Sequence, residues 1–205
     1  GVSMSVLKRD EALSEGHYSR LAEATDLLYH LPIFIDDQSD VTPIGIRGKC
    51  RRLKNERGLG LVVIDYLQLM RGDRRTDNRV QELGEIARSC KAMAKELGVP
   101  VIALSQLSRA VESRDDKRPQ LSDLRESGSI EAEADLVMLL YRDSYYKAKE
   151  EKRHESENFD DIQEAEVIIA KHRNGPVGKV KLGFQPAYAR FRNLDRGGAY
   201  EDPED

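Results

Sequence analysis

The chain has 205 residues, 33 basic against 37 acidic, and a formal net charge of −4. That length suffices for one large domain with a sizeable core, and the near balance of charge excludes an all-over basic coat for nucleic acid while leaving room for a local basic groove or channel. The longest apolar run falls far short of the roughly 20 residues of a membrane helix, so no membrane partner is expected.

The stretch carrying Lys8, Arg9, Asp10, Glu11 and Glu15 does not read as a signal peptide. Cys50 and Cys90, far apart in sequence, read as reduced thiols in a cytosolic, hence cytoplasmic, protein. The chain starts at Gly1 rather than methionine, as a piece of a longer polypeptide or a processed start would.

In chain order, HYSRLAEATDLLYH (17–30) spaces Leu21, Ala24 and Leu28 at helical intervals. PIFIDD (32–37) is a short apolar run ending on two acids, a strand by length and composition. Thr42 and Pro43 cap and open a helix to about Glu56, ended by Gly58. LGLVVID (59–65) is the next strand, followed by the charged loop RGDRRTDNR (71–79). Val80, Leu83, Ile86, Cys90, Met93 and Leu97 describe one buried helical stripe, stopped by Gly98.

VPVIALSQLS (99–108) is another strand, then RAVESRDDKRPQ (109–120) is too charged to pack and reads as a mobile loop. DLVMLLYR (135–142) is a strand, SYYKAKEEKRHESENFDD (144–161) an exposed charged insert, and 195–205 a flexible acidic tail. AEVIIAKHR (165–173), GKVKLGF (178–184) and ARFRNL (189–194) close the chain as strands, with a turn at Asn174-Gly175.

Strands apolar on both faces, alternating with amphipathic helices, predict a parallel α/β sheet covered on both sides, with an antiparallel hairpin at one edge. Ligands of such folds gather at the carboxyl ends of the strands. Asp65 stands there, where a carboxylate holds magnesium in phosphate-loop ATPases, the Walker B role. The plainer alternative is a helix cap or a solvated acid. Ser105 and Gln106 end the neighbouring strand, where a polar group senses a γ-phosphate or orients a water; a turn-forming pair is the alternative.

Three long segments, VVIDYLQLM (62–70), VIALSQLSRAVESRDDKRPQLSDLRESGSIEAEADLVMLLYR (101–142) and IIAKHRNGPVGKVKLGF (168–184), closely resemble the bacterial replicative DNA helicase of the DnaB type, in that family's order. The resemblance covers nearly the whole chain. It implies a single, partial RecA-like core domain over 1–205, a hydrolase and isomerase that uses ATP and Mg2+. It also implies a homo-hexameric ring around single-stranded DNA in the full-length protein, moving 5′ to 3′, with primase and a helicase loader as partners.

By position, Asp65 resembles the Walker B aspartate and its metal ligand, and Gln106 the residue linking the nucleotide to the DNA loops. Arg173 resembles the arginine finger that reaches the neighbouring subunit's ATP, with Lys171 its accompanying cation. Arg125, Glu126 and Gly128 match a channel loop that approaches the DNA backbone. Arg114, Lys117 and Arg118 stand on a second such loop. A capping loop at Ser127 and Ser129 and a solvated charge run are the ordinary alternatives.

The family also needs a G-x-x-x-x-G-K-[ST] phosphate loop. The Gly-Lys pairs here are Gly48-Lys49, followed by Cys50, and Gly178-Lys179, followed by Val180, and neither fits. The chain therefore reads as the carboxyl-terminal part of the core, unable to hydrolyse ATP alone. The competing readings are a naturally truncated, non-catalytic module that binds DNA or helicase rings, and a related RecA-like ATPase of recombinase or clock type.

Overall fold

A computed structural model of the chain describes residues 2–8, 13–73, 76, 78–150 and 162–194; positions 5, 8, 125–129 and 148–150 are described by backbone alone. The elements run α1 (Met4–Lys8), α2 (Glu15–Tyr29), α3 (Pro43–Arg57), β1 (Val62–Ile64), α4 (Arg79–Leu97), β2 (Val101–Ala103), α5 (Gly128–Glu133), β3 (Leu136–Tyr141), α6 (Asp143–Glu150), β4 (Gln163–His172), β5 (Gly178–Gln185) and β6 (Arg190–Asn193). β1 and β2 form one sheet, and a second has the order β3-β4-β5-β6. No helix among the described residues is long and apolar enough to cross a membrane.

The chain divides into two compact units. The larger spans Asp36–Leu139 and Ile169–Gly178. Its helices start and stop where the sequence provides for it. The Thr42 hydroxyl accepts from the Gly45 N–H at 3.2 Å, and Pro43 opens α3 with no N–H to satisfy. The Asn78 carboxamide accepts from Val80 and Gln81 at the head of α4, and Gly98, at φ 62°, ends it in the left-handed conformation that glycine tolerates.

α4 turns Leu83, Ile86, Cys90, Met93 and Leu97 onto Val62, Ile64, Leu67 and Met70 in one core. Each such side chain contributes about 1.5–3 kcal/mol on burial. The same burial pushes the Cys90 thiol up to about 11. β1 and α4 then deliver β2 parallel to β1, with Val62, Val63 and Ile64 opposite Val101, Ile102 and Ala103. The pairing continues past the strands: Leu104 N–H donates to Ile64 C=O and Leu67 N–H to Leu104 C=O, both at 2.9 Å. Gly48-Lys49 lies inside α3, a regular helix rather than a phosphate-cradling loop.

The smaller unit spans Gly1–Ile35, Leu140–Ile168 and Lys179–Asp205. β5 and β6 pair antiparallel there, with Phe184 opposite Phe191, ring centroids 5.0 Å apart. The Arg142 guanidinium lies 4.3 Å from the Phe184 ring, a cation–π contact. The expected antiparallel edge hairpin is thus present.

Several expectations need correction. Residues 32–37 are not a strand: Ile33, Phe34 and Ile35 are exposed and no neighbouring strand among the described residues offers them a ladder. The Leu21–Leu28 stripe of α2 buries nothing. The sheet is covered on one side only among the described residues, since Val63, Ile102, Leu104, Leu136, Met138 and Leu140 are all exposed. The segment 109–120 does pack: it opens as a 3-10 turn, Arg109–Ser113, whose Val111 is 2% exposed. The insert begins as α6 rather than irregular chain; 151–161 and the tail 195–205 lie outside the described residues.

Candidate functional site

β1 points its carboxyl end at Asp65, and β2, in parallel register, points its own at Leu104, Ser105 and Gln106. Parallel pairing therefore brings together the acid and the polar pair singled out in the sequence. Asp65 is exposed, and among the described residues its carboxylate takes no hydrogen bond or ion pair. No group of three or more His, Cys, Asp or Glu side chains is assembled among the described residues. A lone open carboxylate suits a hard, hydrated cation such as magnesium, which takes its remaining ligands from water and phosphate, and does not suit a structural zinc site.

Sequence reasoning missed Gln68. It sits in a 3-10 turn, Leu67–Leu69, just after Asp65. Its Nε2 donates to Ser105 Oγ at 3.0 Å and its Oε1 accepts from the Gln106 N–H at 3.3 Å. The first residue of α4 secures this turn: Arg79 donates to Gln68 C=O at 2.7 Å and Met70 C=O at 3.3 Å. Glu82 completes the corner, accepting from the Gly72 N–H at 2.8 Å and pairing with Arg79. The Gly72 hydrogen bond, then Arg79, hold the Glu82 carboxyl below its ordinary range. The available signal was one amide inside the apolar run LQLM.

Lys171 and Arg173 form a second group. Arg173 follows β4, and its backbone N–H donates to Asp135 C=O at 2.9 Å. Its guanidinium donates to Ala132 C=O at 2.6 Å and lies 3.5 Å from Asp135 Oδ1. Lys171 Nζ donates to Glu131 C=O at 2.5 Å. Both cations thus sit on carbonyls at the C-terminal end of α5, the end that attracts positive charge. Gly175 is required in the turn beyond, because a Cβ there would meet the His172 ring at 2.3 Å. Among the described residues no hydrogen bond or ion pair joins this group to Asp65 or Gln106.

Lys91 also pairs with Asp135. The Lys91 hydrogen bond, then the charges of Lys91, Arg173 and Lys95, hold the Asp135 carboxyl below its usual 3.8 against an opposing push from burial. A carboxyl lowered on folding stabilises the fold above its unfolded pKa and loses that contribution as pH falls through the folded value. Asp135→Asn is therefore expected to lower the denaturation midpoint at pH 7, with the gap to the parent chain closing below about pH 4. A gap that stays constant down to pH 3 in thermal melts would show that the charge on Asp135 contributes nothing.

The loop candidates divide. The side chains of Arg125 and Glu126, and the surroundings of Gly128, lie outside the described residues; the backbone runs through a 3-10 segment, Leu121–Ser127, straight into α5. Arg114 faces inward. Its Nη2 pairs with Asp123 Oδ2 at 2.7 Å and donates to Arg118 C=O at 3.1 Å, and Asp123 is 7% exposed. Asp123 also accepts from the Gln120 N–H at 2.7 Å, so this pair closes the loop. Arg118 reaches Asp116 at 3.4 Å, and Lys117 is half-buried.

A profile of the DnaB-like helicase C-terminal domain matches residues 1–193. The chain is 54% identical over 189 residues to the replicative DNA helicase DnaB of Geobacillus stearothermophilus, covering 92% of this chain and 40% of that protein. It is 48% identical over 201 residues to the replicative DNA helicase DnaB of Rickettsia prowazekii, with 94% and 41% covered. Among solved structures, an isolated ATPase domain is similar at TM-score 0.79 and 45% identity, covering 94% of this chain and 64% of that one. A DnaB-like replicative helicase, described with its interactions with primase, is similar at TM-score 0.82 and 43% identity, covering 95% and 45%. The fold is the RecA-like α/β fold of these structures, and the chain spans about 40% of the length of the curated relatives it matches.

Proposed function

This chain belongs to the DnaB-like helicase C-terminal domain family, and from that premise we propose that it is the carboxyl-terminal part of the ATP-driven motor of a cytoplasmic replicative DNA helicase. The motor works as a hexameric ring that translocates on single-stranded DNA, with primase and a loader as partners. The observation that carries the reading is the meeting of Asp65, Ser105 and Gln106 at the carboxyl ends of two paired parallel strands. Phosphoryl transfer asks a protein mainly for positioning and charge stabilisation, and that is where this fold supplies both.

Asp65 would hold Mg2+, directly or through water; the ion, when bound, neutralises charge on the β- and γ-phosphates. Gln106 senses the γ-phosphate and passes its state to the DNA loops. Arg173, with Lys171, serves the ATP of the neighbouring subunit, its planar fork matching two phosphate oxygens. Arg125, Lys117 and Arg118 supply phosphate contacts and the backbone at Glu126 and Gly128 supplies N–H donors, without reading base identity. Arg114, held by Asp123, keeps the second loop in shape. The rest of the polypeptide supplies the phosphate loop and covers the apolar side of β1, β2 and β3, whose exposure supports this reading.

The test is a hybrid in which this chain replaces the matching segment of the Geobacillus stearothermophilus relative. The hybrid is expected to hydrolyse ATP with stimulation by single-stranded DNA, and this chain alone to show no turnover. DNA-stimulated hydrolysis by the isolated chain, or an inert hybrid that still forms rings, would overturn the proposal.

A further inference from the structure

We propose that Gln68 is a positioning residue that sets Gln106, coupling the strand end at Asp65 to the response to DNA. The inference rests on the reading of Gln106 as the link between nucleotide and DNA loops. One carboxamide uses both of its ends on the neighbouring strand's exit, donating to Ser105 Oγ at 3.0 Å and accepting from the Gln106 N–H at 3.3 Å. The amide is itself immobilised. Leu67 and Met70 on either side are 1% and 2% exposed, and the Gln68 carbonyl accepts from Arg79 at 2.7 Å.

A purely structural role is redundant at this place. Backbone bonds from Val62 to Pro100, Leu104 to Ile64 and Leu67 to Leu104 already hold β1 and β2 together up to the strand ends. The side chain of Gln68 adds its contacts only beyond them, at the two residues whose placement matters for chemistry. Gln106 has an exposed side chain whose direction is set by its backbone, and Gln68 holds that backbone N–H. Any shift of the loop carrying Asp65 therefore moves Gln106 with it, and the reverse.

The experiment uses the hybrid helicase with Gln68→Met, which keeps side-chain volume and removes both hydrogen bonds, and Gln68→Glu, which keeps an acceptor for the Gln106 N–H and for the Ser105 hydroxyl proton. Gln106→Ala is the control for the underlying reading. ATP turnover is measured with and without single-stranded DNA, alongside the denaturation midpoint. The expected result is that Gln68→Met loses DNA stimulation by on the order of 10- to 100-fold, with basal turnover, KM for ATP and the midpoint held, and that Gln68→Glu restores most of it. Equal loss of basal and stimulated turnover, or a lowered midpoint with stimulation intact, overturns the proposal and leaves Gln68 a structural residue. Full stimulation in Gln68→Met with loss in Gln106→Ala overturns the role of Gln68 alone. Full stimulation in Gln106→Ala overturns the reading beneath it.

Discussion

Arg173→Lys in the hybrid helicase is expected to lower DNA-stimulated ATP turnover by about 10^3-fold or more, the scale of an arginine finger's contribution, with ATP affinity nearly unchanged. Charge is conserved in this variant, so the loss isolates geometry. Lysine presents a compact ammonium, whereas the guanidinium offers parallel N–H donors that match two oxygens of the transferring phosphoryl group. The lysine chain also cannot repeat the present docking, in which one guanidinium donates to Ala132 C=O at 2.6 Å and approaches Asp135 at 3.5 Å. Turnover within tenfold of the parent would remove Arg173 from the reaction.

That docking does not oppose the role. Arg173 keeps 47% of its side chain exposed and Asp135 52%. Ion pairs this exposed are worth about 0–1 kcal/mol, and a bidentate hold on phosphate in a water-poor site exceeds that. The geometry also offers a route by which DNA reaches the finger. The 3-10 segment holding Arg125 and Glu126 continues into α5, and the last carbonyls of α5 hold Lys171 and Arg173. A DNA phosphate that shifts the head of this helix shifts its tail, and the helix has only 6 residues in which to absorb the movement.

What the sequence made legible was local. The stripe of α4 gave the core, since Leu83, Ile86, Cys90, Met93 and Leu97 are all buried, and helical period with an Asn cap and a glycine stop is chemistry of one segment. Asp65, Ser105 and Gln106 were legible because β-α-β topology puts strand ends together whatever the details. Residues 32–37 were misread because a strand needs a partner, and apolar composition alone cannot supply one. β3 was expected to be buried on both faces, yet its burial alternates, with Val137, Leu139 and Tyr141 inside and Leu136, Met138 and Leu140 out. Apolar composition states that a face is meant to be covered, not by which piece of polypeptide. Gln68 and the inward turn of Arg114 depend on partners 37 and 9 residues away, and residue type carries no sign of such distances.

Asp65→Asn is expected to abolish turnover in the hybrid, by about 10^2- to 10^4-fold, the scale of several kcal/mol of metal-borne charge stabilisation. The change is nearly isosteric and removes the anion. Folding is expected to be unaffected, because Asp65 is exposed and makes no hydrogen bond among the described residues. The decisive form of the test mixes this variant with Arg173→Ala. Each is inactive alone, the first through its own ATP site and the second through its neighbour's. In a mixed ring some junctions join an intact Asp65 on one subunit to an intact Arg173 on the next. Random mixing in equal amounts makes about a quarter of the junctions whole, so activity reappears that neither variant has. If Arg173 instead served its own subunit's nucleotide, every site would carry one lesion or the other, and the mixture would stay as inactive as its parts.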